Sequence, residues 1–178
     1  MKRLYLPLML VISIVAAQAS AQQSPDKDPM ARFAPFVGKW SVRHTLWSRE
    51  GQKADDFQGT ANIYFVEHGT VLVVEETDPG NSYRFVGFHT FDAATNKYFN
   101  WTASSRAVLA WSDGEWNDSS EVLHTRRLDP KTGQIDPLIG RGVWTIIDRD
   151  THVYRAVRIG PDGTEVPFKE EKYTRIKK

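Results

Sequence analysis

The chain has 178 residues, no cysteine and a formal net charge of +1. Without thiols there can be no disulfides, no thiolate nucleophile and no thiolate metal ligands. The balanced charge gives no electrostatic reason to bind nucleic acid or anionic lipid.

Lys2 and Arg3 precede an almost unbroken apolar run from Leu4 to Ala17, and Ala19-Ser20-Ala21 offers a small-x-small cleavage pattern. Residues 1–21 therefore read as a cleavable signal peptide, with Gln22 as the first mature residue. The run falls short of the roughly 20 apolar residues that span a bilayer, so an uncleaved anchor is the lesser alternative. Losing Lys2 and Arg3 takes the net charge from +1 to −1. The expectation is a periplasmic or secreted protein with no stable membrane insertion after cleavage.

Residues 22–32 read as a flexible leader running into a short helix. Asp28 can cap that helix and Pro29 suits its first position, while Met30, Phe33 and Val37 recur at helical spacing. Pro35 keeps the helix short. Its phenylalanines are placed to close one end of the domain that occupies residues 33–178.

From Lys39 onward, runs rich in β-branched and aromatic residues alternate with Gly, Asn, Asp and Pro. The predicted strands are 39–48, 59–67, 70–77, 82–91, 97–104, 107–112, 121–128, 141–148, 152–159 and 166–176. Turns are assigned to His68-Gly69, Asp78–Asn81, Asp113-Gly114, 129–133, Arg149-Asp150 and Gly160–Gly163. Nearly every connection is of hairpin length, so consecutive strands should be antiparallel neighbours. About ten strands in one meander accumulate too much twist to stay flat, and closure removes the exposed edges. The prediction is an all-β, antiparallel up-and-down barrel; a two-sheet sandwich is the rival architecture.

Gly38-Lys39-Trp40 opens the first strand and Tyr173-Thr174-Arg175 ends the last. This resembles the G-x-W opening of the calycins, the group containing lipocalins and fatty-acid-binding proteins. The resemblance implies that Trp40 plugs the closed end and that Arg175 stacks over it, with Gly38 opening the strand. The stretches 36–40, 87–92, 97–101 and 173–175 are also similar to a bacterial family of small exported lipocalin-like proteins of unassigned function. The threonine-aspartate-tyrosine motif of true lipocalins is missing, as is a helix after the last strand.

His44, His68, His89, His124 and His152 form no metal-type spacing, so no metal or cofactor is implied. His68 and His152 fall at predicted turns and should be solvated. Alternation places His44 on the face of Trp40, inside the barrel if Trp40 is inside. Arg155 interrupts the apolar row Val153, Val157, Ile159; facing inward, it would need Glu75 or Glu76 as partner, and facing outward, it would be merely solvated. Phe85 shares a face with His89 and Phe91, and Phe99 shares one with Trp101. Trp144 adds a further large ring, and Trp116 is placed at the mouth. His44, Phe85, His89, Trp101, Trp144 and Arg155 are the candidate ligand contacts.

No Gly-x-Ser-x-Gly elbow, phosphate loop or cysteine nucleophile is present in the sequence. The leading expectation is a monomer or weak dimer whose barrel holds a small apolar or amphipathic molecule. A small lyase, isomerase or cyclase using His44 with a carboxylate is one alternative. An interaction module acting through the outer wall is another.

Overall fold

A computed structural model describes residues 28–80, 82–105, 109–127 and 139–177. The predicted signal peptide, residues 22–27 of the leader and the predicted turn at 129–133 lie outside them. A short 3-10 helix, Pro29–Phe36, precedes ten strands: β1 (Gly38–Trp47), β2 (Lys53–Val66), β3 (Val71–Thr77), β4 (Arg84–Asp92), β5 (Lys97–Ser104), β6 (Leu109–Asn117), β7 (Ser120–Arg127), β8 (Gly140–Asp148), β9 (Thr151–Ile159) and β10 (Glu165–Arg175). Each strand pairs antiparallel with the next, and β10 returns to β1 to close the barrel. All ten strands thus have two neighbours and no edge is left to aggregate.

The seam pairs Trp40 with Arg175, Val42 with Tyr173 and His44 with Glu171. Side chains alternate across the wall, so the buried set on β1 is Trp40, Val42 and His44. Those three point inward, and Lys39, Ser41 and Arg43 point out.

The helix fills one end. Asp28 caps it, its carboxylate accepting from the Met30 amide at 3.0 Å. Its buried residues are Met30, Phe33 and Phe36, three apart, rather than the predicted set ending in Val37. Period three is the signature of a 3-10 turn, where side chains at i and i+3 eclipse, and Pro35 sits within it. Phe33 and Phe36 are fully buried and form the plug. Phe36 lies 4.5 Å from Trp144 and 4.7 Å from His152, while Phe33 meets Trp116 edge-on at 5.5 Å. Trp116 therefore belongs to the plugged end and not to a mouth.

One predicted turn is replaced by strand. Asp113 and Gly114 lie within β6, paired with β5 and β7, and the chain reverses instead at Asp118, whose φ is 51°. A glycine is required at 114 for closeness rather than for turning. A β-carbon there would meet the Val122 carbonyl oxygen at 2.2 Å.

Candidate functional site

At the end away from the helix, four aromatic side chains, those of Phe57, Tyr83, Phe85 and Tyr154, stand around the lumen, all partly exposed. Lys169 reaches in among them. Its ammonium is 5.4 Å from the Phe85 ring centre and 5.1 Å from that of Tyr154, and it bonds Glu171 Oε1 at 2.8 Å. Burial disfavours a charged lysine, but Glu171 outweighs it and the ammonium is held well above its ordinary pKa. Burial pushes the Tyr154 phenol up to about 12, so it stays protonated.

Below Lys169 lies a buried polar cluster. His44 Nδ1 is 3.0 Å from Glu171 Oε1. The His44 ring stacks on Phe57 at 4.5 Å and 10°. The Tyr173 hydroxyl donates to Glu76 Oε1 and also lies 3.2 Å from Glu171 Oε2. His44, Glu76, Glu171 and Tyr173 are each at most 3% exposed. Burial raises both carboxyls, but Lys169 and His44 reverse the effect at Glu171 and hold it ionised. At Glu76, burial and the charge of Glu171 act together, and its pKa rises. Donor atoms of His44, Glu76 and Glu171 all lie within 4.8 Å of one another, a set that could ligate a metal.

Deeper in, His89 Nε2 bonds the Asn100 amide at 2.8 Å, and His89 Nδ1 faces Glu121 at 3.6 Å, beyond hydrogen-bond length. Glu121 is fully buried, and neither of its oxygens has a hydrogen-bond partner among the described residues. His152 is the next buried group, and it corrects the solvated-turn expectation. It is the second residue of β9, and its ring lies 4.3 Å from Trp40 and 4.2 Å from Tyr173. Its Nδ1 accepts from the Trp144 indole at 2.8 Å. Burial, helped by the charge of Arg175, lowers its pKa to about 3, so it is neutral. His68, by contrast, is exposed.

Of the candidate ligand contacts, His44, Phe85, His89 and Trp144 face the lumen. Two do not. Trp101 is 51% exposed on the outer wall, stacked on Trp111 at 6.1 Å, because Tyr98 and Asn100 occupy the inward positions of β5. Arg155 is also outside, where its Nε bonds Glu170 Oε2 at 2.6 Å on the neighbouring strand. Its row-mates Val153 and Val157 are outward too, so the inward pairing with Glu75 or Glu76 is not made. Glu76 faces the lumen and Glu75 the exterior. Gly38, Trp40 and Arg175 lie together at the closure seam, with Arg175 Nη1 donating to the Val37 carbonyl at 2.8 Å.

Glu121, Lys169, Glu171 and Tyr173 escaped the sequence reading as interior groups. A signal was present: counting back by twos from Arg175 gives Tyr173, Glu171 and Lys169 on one face. An open groove of about 840 Å³ runs across β2, β3, β4 and β5. Asn62, Glu75, Val86 and Ala103 line it from the outer wall, and Glu76 and Phe85 of the lumen-facing set also border it.

Fold and interior together define a closed ten-stranded antiparallel barrel, plugged at one end and carrying ionisable groups inside. Residues 26–175 match the family described as "Protein of unknown function (DUF1579)", and the chain belongs to that family. No curated protein matches the sequence. Among solved structures it is similar to Rv2717c from M. tuberculosis, with a TM-score of 0.58 at 11% identity, covering 84% of this chain and 99% of that one. Weaker likenesses are EF1p2_mFAP2b bound to DFHBI (TM-score 0.38, 11% identity, 83% of this chain and 99% of that one) and a DUF3598 protein of unknown function from Nostoc punctiforme (TM-score 0.26, 10% identity, 84% and 100%).

Proposed function

We propose that the protein is an exported small-molecule binder whose lumen takes an amphipathic molecule from the end opposite the helix. The apolar part of the ligand lies against Phe57, Tyr83, Phe85 and Tyr154, and its polar group meets Lys169. The observation that carries this reading is the placement of Lys169, an ammonium held inside a barrel between two aromatic faces, with its side chain 15% exposed. A lysine in that position costs desolvation that a purely structural core avoids with an aliphatic residue, and it gives the site a fixed charge to orient a ligand. The polar cluster beneath it narrows the ligand class from largely apolar to amphipathic.

The test is a fluorescence titration with the amphipathic dye 8-anilinonaphthalene-1-sulfonate, together with native mass spectrometry of the purified protein. Saturable one-to-one enhancement is expected, weakened about tenfold in Lys169→Met. Non-saturable enhancement, or equal affinity in the variant, overturns the reading.

The pairing of His44 with Glu171 favours a second reading, in which the lumen transfers protons for an isomerase- or lyase-type reaction. It requires that a molecule retained through purification be converted by the wild type and not by a folded His44→Gln protein.

A further inference from the structure

We propose that His44, Glu76 and Glu171 bind one divalent transition-metal ion, with zinc as the best fit. The donors come from three strands, β1, β3 and β10, and converge because β2, between β1 and β3, presents Gly59 and Ala61 to the lumen. A β-carbon on residue 59 would stand 3.0 Å from His44 Nε2 and 2.8 Å from the Thr77 carbonyl oxygen. That missing side chain leaves the histidine room beside Glu76.

The arrangement has the features of a ligand set. His44 Nδ1 and Glu171 Oε1, 3.0 Å apart, have the separation of two donors each about 2.1 Å from a common ion at roughly a right angle. An ion there replaces the proton now shared between them. The Tyr173 hydroxyl touches Glu76 Oε1 and Glu171 Oε2, and so orients both carboxylates as an outer-shell partner does. Glu76 Oε2 is left buried with no hydrogen-bond partner among the described residues.

Charge points the same way. Two carboxylates and an imidazole are enclosed, yet among the described residues Lys169 bonds only Glu171. One nitrogen and two oxygens suit a borderline ion such as Zn²⁺ better than Mg²⁺ or Ca²⁺, which favour all-oxygen shells. Three protein ligands leave a fourth position open, the pattern of a reactive rather than a sealed site. The site goes beyond the amphipathic-ligand reading and does not depend on it.

Isothermal titration of the chelator-treated, dialysed protein with zinc chloride tests the proposal. One equivalent should bind, with affinity reduced about 10- to 100-fold in Tyr173→Phe and still further in Glu76→Gln. Lys169→Met should bind zinc more tightly, because a competing cation is gone, whereas the same variant should bind the dye more weakly. Those opposite directions separate failure of this proposal from failure of the ligand reading. Anomalous diffraction at the zinc edge should place the ion between His44 and Glu171 in the unsubstituted protein, whatever the variants do. Absence of stoichiometric zinc binding in both the wild type and Lys169→Met, or an ion located elsewhere, overturns the site.

Discussion

The guanidinium of Arg175 lies over the indole of Trp40, its central carbon 4.0 Å from the ring centre, and the two residues are direct partners across the β1–β10 seam. The same guanidinium donates to the carbonyls of Pro35, Val37 and Arg149. It therefore fastens the end of the plug helix to the closing strand. Arg175→Lys keeps the charge but loses the fork. Stability should fall by about 2–4 kcal/mol in urea denaturation, and Arg175→Met should cost at least as much.

Gly38 belongs to the same device. Its φ of +142° is unfavourable for other residues, and a β-carbon would stand 2.5 Å from Arg175 Nη1. Gly38→Ala should destabilise by about 1–3 kcal/mol. Because part of that cost is displacement of the guanidinium, it should shrink in the Arg175→Met background. A double-mutant cycle with a coupling energy of at least about 0.5 kcal/mol is the expected result.

The closure was legible because the residues that make it stand at the two ends of the strand series, where Gly38-Lys39-Trp40 and Arg175 announce themselves. Alternation from Trp40 also put His44 inside. Alternation sorts a strand into two faces but does not say which is inner. On β5 the large aromatics Phe99 and Trp101 went outside and Asn100 went in, against the usual weighting of apolar over polar. The acidic cluster was hidden for a related reason. Inward carboxylates on β3, β7 and β10 have the same local pattern as outward ones, and the partners His44 and Glu171 are 127 residues apart.

The two outward residues give a direct check on that sorting. Arg155 and Glu170 form an exposed ion pair, with side chains 63% and 36% accessible, of the kind that contributes little. Arg155→Gln should change stability by less than about 1 kcal/mol and leave dye affinity unchanged. Trp101→Ser should likewise leave dye affinity unchanged, while losing about 0.5–1.5 kcal/mol of cross-strand stacking on Trp111. A severe loss of binding in either variant would place the side chain in the lumen after all.

His152 makes the barrel sensitive to acid. It is neutral in the folded protein because burial among Phe36, Trp40 and Tyr173, reinforced by Arg175, disfavours the imidazolium; Glu171 opposes this only weakly. In the unfolded chain it titrates near 6.5 and in the fold near 3, so between those values the unfolded state binds more protons. Its contribution to stability is therefore present above about pH 6.5 and is lost as pH falls toward 3. Between pH 7.5 and 5 the loss from this residue alone should be about 2 kcal/mol. His152→Gln keeps an acceptor for the Trp144 indole but cannot ionise. It should be less stable than wild type at pH 7.5, through poorer ring packing, and should lose less on acidification. Urea denaturation midpoints at the two pH values measure both slopes. Parallel slopes would mean that folding leaves the His152 pKa unshifted, so that on acidification the ring would take up a proton in the fold and the Trp144 indole would lose its acceptor.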